Sequence, residues 1–89
     1  MTDVYLVYSD LNDRVRFEEA KISSSPFIHY IDADTREGKS QAYKLKSEFG
    51  ARLNPFAVLY DGDSPIKAYY SEDSKDVVGD LINDLNKEL

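Results

Sequence analysis

The chain has 89 residues, no cysteine, 42% hydrophobic residues and a formal net charge of −6 with a pI near 4.6. That length suits one domain with a thin core, and the apolar content is too high for a disordered chain. Without cysteine there are no disulfides, thiolate metal sites or thiol nucleophiles, and without a Lys/Arg cluster nothing favours a nucleic-acid backbone.

Met1-Thr2-Asp3-Val4 offers neither a basic start nor a long apolar run, so no leader or membrane segment is expected and a cytoplasmic location is the default. Val4-Tyr5-Leu6-Val7-Tyr8 is an unbroken apolar run that suits a strand buried on both faces. Ser9-Asp10 then supplies an N-cap for a helix expected to reach about Ile22, with Leu11, Val15 and Ile22 near one face and Phe17 and Ala20 beside it. Ser23-Ser24-Ser25-Pro26 is a loop, and Phe27 to Ile31, closed by Asp32, is the second strand.

Asp34 or Thr35 can cap a helix that runs to Phe49 and stops at Gly50, burying Ala42, Leu45 and Phe49. Gly38 in its first turn should weaken the start. A short loop ends at Asn54-Pro55, followed by a strand from Phe56 to Tyr60 and a tight turn at Asp61-Gly62. Pro65 places the fourth strand at a sheet edge, where Ile66, Ala68 and Tyr70 alternate with Lys67 and Tyr69. Asp73 or Ser74 is the expected cap of a closing helix whose Val77, Val78, Leu81, Ile82, Leu85 and Leu89 form an apolar stripe. The class is therefore α/β, in the order β-α-β-α-β-β-α. It implies a four-stranded mixed sheet, with a parallel first pair and an antiparallel hairpin, covered by three helices.

This order, with a proline directly before the third strand, resembles the thioredoxin-like superfamily in its minimal, glutaredoxin-sized form. Ile31-Asp32-Ala33-Asp34, Phe49 through Phe56, and Leu59-Tyr60-Asp61-Gly62 carry the resemblance. It implies one thioredoxin-like domain over residues 1–89, a cis bond before Pro55, and a binding face where the Asn54 backbone meets the loop after the first strand. Ser9-Asp10-Leu11-Asn12-Asp13 stands where that family carries its redox cysteines, so thiol–disulfide exchange is excluded. Tyr8-Ser9 with Arg14-Val15-Arg16 also resembles the N-terminal domains of some glutathione transferases, which would make Ser9 the partner of a glutathione thiolate.

The resulting expectation is a redox-inactive module that binds a protein or peptide through Ser9, Asp10, Asn12, Asn54, Pro55 and Phe56, with no cofactor, nucleic acid or membrane involved. Tyr8, Phe56 and Tyr69 would add an exposed aromatic surface. The alternatives are a glutathione-binding or transferase-like domain using Ser9, and a structural or regulatory accessory subunit of the compact, acidic kind that suits a virus. His29, between Ile28 and Tyr30, reads as a sheet residue without catalytic partners, and the Asp32/Asp34 and Asp61/Asp63 pairs read as caps and turns.

Overall fold

The computed structural model describes residues 2–87. Its elements are β1 (Thr2–Tyr8), α1 (Leu11–Glu19), β2 (Phe27–Asp32), α2 (Arg36–Phe49), β3 (Phe56–Asp61), β4 (Ser64–Tyr70) and α3 (Val77–Lys87). The strands form one mixed sheet in the order β2-β1-β3-β4. β1 runs parallel to β2 and antiparallel to β3, and β4 returns antiparallel along β3. The element order is the expected one, and Pro65 does lie on an edge strand.

Alternation along the central strands sorts the core into two layers. Val4 and Leu6 of β1 join Ala57 and Tyr69 beneath Phe17 of α1 and Val77, Val78, Leu81 and Leu85 of α3. Val7 turns the other way and packs with Ile31, Phe56 and Val58 against Ala42 of α2. Two helices thus cover one face and a single helix covers the other. This is why the Val4–Tyr8 run has no polar break: both faces of β1 are buried along most of its length.

Helix boundaries depart from the sequence reading in two places, the end of α1 and the cap of α3. α1 ends at Glu19, and Ala20 already has extended backbone. Ile22 therefore reaches the core from the following loop, while Leu11 and Val15, expected inside, are 62% and 37% exposed. The inner face is instead set by Phe17 and by the stem of Arg14, whose guanidinium lies over the Tyr30 ring, 4.5 Å from its centroid. At α3 the cap is neither Asp73 nor Ser74: the Asp76 carboxylate accepts from the Gly79 N–H at 3.0 Å, and Ser74 Oγ accepts from Asp76 N. At α2, Thr35 is the cap, accepting from Gly38 N at 2.9 Å. Gly38 is required there, because a Cβ would collide with the Asp32 carbonyl oxygen beneath the helix start.

On β4 the expected alternation holds only toward the far end. Ile66 is 59% exposed because the strand shifts register between Leu59 and Tyr60, and Ile66 falls within the irregularity. Leu89, assigned to the apolar stripe of α3, lies outside the described residues.

Candidate functional site

The site expected from sequence is formed by two loops that the sheet register brings side by side. Val7 faces Phe56 across β1 and β3, so Tyr8 and Pro55 occupy the point where both strands run out. Residues 9–12 leave from one side of that point and residues 51–55 arrive from the other. The Asn54-Pro55 bond is cis.

The proline loop is held by contacts that the sequence did not announce. Gly50 adopts the left-handed conformation that ends α2 (φ 72°), and the next N–H, from Ala51, closes on the Lys46 carbonyl at 2.8 Å. Lys46 Nζ donates to the Asn54 side-chain oxygen at 2.8 Å. Arg52 N donates to Glu72 at 2.8 Å, and the Ser71 hydroxyl donates to the Pro55 carbonyl. The Arg52 N–H is also the chief reason the Glu72 carboxyl sits below its ordinary range. These contacts fix the loop from α2 on one side and from the turn after β4 on the other. Among the described residues, no hydrogen bond reaches the Asn54 main chain.

Across the junction, Asp10 caps α1 by accepting from Asn12 N at 2.9 Å. Ser9 is therefore not the cap, and it stands exposed in the loop. Partial burial first, and Asp10 second, raise the Asp13 carboxyl. Asn12 is exposed on the first turn. Each loop also presents an apolar side chain to solvent: Leu11 at 62% and Leu53 at 53% exposure.

The aromatic part of the expected surface is absent. Phe56 is fully buried, its ring against Phe49 and Tyr70 beneath α2. Tyr8 is buried on the opposite face, where its hydroxyl accepts from Arg14 at 3.0 Å. Tyr69 is buried with its hydroxyl donating to Asp84 at 2.8 Å. All three lie on strands next to the sheet centre or under a helix, where an aromatic ring fills the layer rather than lining a surface. Of the residues singled out from sequence, Ser9, Asp10, Asn12, Asn54 and Pro55 lie on the two loops at this end of the sheet, and Phe56 is buried beneath α2. The exposed Leu11 and Leu53 on these loops were not singled out from sequence; the one available signal was Leu53, an isolated leucine in a polar loop.

His29, Asp32 and Asp34, also singled out by sequence, have structural partners. His29 stacks between Tyr5 (4.2 Å between centroids) and Phe27 (4.8 Å) and meets the Asp3 carboxylate at 3.3 Å. Asp32 accepts from Asp34 N at 2.9 Å and, through its carbonyl, from the Thr35 hydroxyl at 3.0 Å. No cluster among the described residues has the composition to hold a metal ion, and no helix among them is long and apolar enough to cross a membrane. Comparison of the chain with protein-family models, with curated proteins and with solved structures gives no significant match.

Proposed function

We propose that this chain is a thioredoxin-like domain without redox chemistry that binds an extended protein or peptide segment across residues 9–12 and 53–55. The observation that carries the reading is the Asn54 main chain. It lies just before β3 with no partner among the described residues, in a loop anchored at the Asn54 side chain, the Arg52 N–H and the Pro55 carbonyl. An extended segment can pair with it by strand addition, which draws affinity from main-chain hydrogen bonds and selectivity from flanking side chains. Leu11 and Leu53 are those flanking groups, and they favour apolar side chains in the ligand. With no cysteine the loop after β1 cannot exchange disulfides, so the reading carries no redox step.

Ser9 supports a second reading, since its hydroxyl is exposed beside Asn54-Pro55 and is not used as a cap. Glutathione could be held there, although Asp10 and Asp13 place negative charge beside an anionic ligand. One amide-resolved NMR titration separates the two, using a degenerate pool of unstructured peptides in one arm and millimolar glutathione in the other. Peptide-dependent shifts concentrated at residues 9–12 and 53–56, and lost in Leu53→Asp, support the module. Shifts at the same residues with glutathione alone support the second reading. Shifts confined to another face overturn both.

A further inference from the structure

The single helix on its face of the sheet leaves part of that face open. Between edge strand β2 and the flank of α2 lies a groove of about 450 Å³, within the usual size of small-ligand sites. It shares no residue with the proline loop. Its floor is Tyr5, His29 and Ile31, and Leu45 lines the helix side. The floor is rigid for a physical reason. The Tyr5 and His29 rings are 8° from parallel, Phe27 closes the stack from the far side at 11°, and Tyr60 meets Tyr5 edge-on at 5.3 Å. Asp3 holds the outer edge of His29.

The rim carries one positive and one negative side chain, Lys44 and Glu48, one helical turn apart. Neither forms an ion pair among the described residues. Their order on the helix explains why: lysine four residues ahead of glutamate is the weaker orientation for an i,i+4 pair. Both charges are thus available above an aromatic floor, separated by roughly the 5–6 Å of neighbouring helical positions. The complementary occupant has an apolar ring and, at one end, two opposite charges borne by groups on a single carbon. We propose that the groove binds a free aromatic amino acid, with its ring against Tyr5, His29 and Leu45, its carboxylate at Lys44 and its ammonium at Glu48.

The test is an amide NMR titration of the full chain with L-phenylalanine, alongside phenylpropionate, phenethylamine and L-alanine. The first analogue lacks the ammonium, the second lacks the carboxylate, and the third lacks the ring. The expected result is saturable shifts at Tyr5, His29, Ile31 and Leu45 with L-phenylalanine, and none with L-alanine. Each singly charged analogue should bind about fivefold more weakly, the scale of one exposed charge contact. Lys44→Ala and Glu48→Ala, both at exposed positions that leave the fold intact, should each weaken L-phenylalanine by a similar factor. Lys44→Ala should leave phenethylamine binding unchanged. Absence of saturation at millimolar L-phenylalanine, equal binding of all three ring compounds, or indifference to both substitutions would overturn the proposal.

Discussion

Arg16 and Asp76, sixty residues apart in sequence, meet in a two-pronged ion pair: the guanidinium donates to both carboxylate oxygens, at 2.8 and 3.1 Å. The pair ties α1 to the capping residue of α3 on the face that carries both helices. Asp76 does two jobs, since it also accepts from Gly79 N at 3.0 Å. Both side chains are 51% exposed, so solvent screens the pair and the capping bond matters more. Arg16→Ala should therefore cost about 0.5 kcal/mol, whereas Asp76→Ala should cost about 1–2 kcal/mol because the cap goes as well. Urea unfolding of the two variants against wild type checks the ranking, and equal losses would count against it.

Acid should weaken the fold through Asp76 and Asp84. Arg16 first, and then Gly79 N–H, hold the Asp76 carboxyl below its ordinary value; Lys67 first, with help from Tyr69, does so for Asp84. A carboxyl whose folded pKa is depressed contributes stability that is complete above the unfolded pKa of about 4 and is lost as pH falls through the folded value. Asp13, raised mainly by burial, works in the opposite sense. Melting temperatures between pH 7 and pH 2 should fall less steeply in Asp76→Asn and Asp84→Asn than in wild type. Parallel slopes in all three proteins would show that these carboxyls are not the titrating groups.

Gly38→Ala should destabilise despite the higher helix propensity of alanine. The added methyl group meets the Asp32 carbonyl oxygen and the Thr35 hydroxyl, both already engaged at the start of α2. Overpacking of this kind costs about 1–3 kcal/mol, more than the gain of about 1 kcal/mol in propensity. At Gly50 the obstacle is conformational instead, because the position has φ 72° and open space around it. Gly50→Ala should cost about 1 kcal/mol, and Gly50→Asn should recover part of that loss. Thermal melts of the three variants distinguish collision from backbone preference.

Truncating the inner residue of α1 should matter far more than truncating the one favoured by periodicity. Phe17 is 2% exposed and meets Tyr30 edge-on at 6.3 Å between ring centroids. Phe17→Ala should cost about 3–5 kcal/mol. Val15→Ala, at a position outside the core, should cost much less, about 0.5 kcal/mol. Comparable losses from the two substitutions would put α1 in a different rotation from the one described.

Tyr69→Phe removes a hydroxyl that donates to Asp84 while leaving the ring packed under α3. The expected cost is about 1 kcal/mol, together with a rise in the Asp84 pKa, readable by carboxyl-detected NMR. An unchanged Asp84 titration would show that the Tyr69 hydroxyl does not help to hold that carboxyl down.

Much of the architecture was legible in the sequence because it rests on local signals. Period-two and period-3.6 patterns, the Asp61-Gly62 turn, the Gly50 stop and the edge-compatible Pro65 each fix an element without reference to its neighbours. The unbroken Val4–Tyr8 run even placed β1 in the interior, since only a strand covered on both faces needs no polar alternation. The absence of cysteine settled by itself that no thiol chemistry occurs.

Other features required the tertiary structure, because they depend on which residues meet across long separations. Tyr8, Phe56 and Tyr69 have the composition of a binding surface, yet the sheet register and the overlying helices bury all three. α1 turns Phe17 inward rather than Leu11 and Val15, since its rotation is set by contacts with α3 and with the Tyr30 ring rather than by its own nine residues. The proline loop is fixed by Lys46, Ser71 and Glu72, none of which carries a sequence signal for that task. The groove floored by Tyr5 and His29 exists only because parallel pairing aligns those two residues and one helix leaves them half covered. Local pattern decides which elements form, whereas register and helix rotation decide which side chains are left for function.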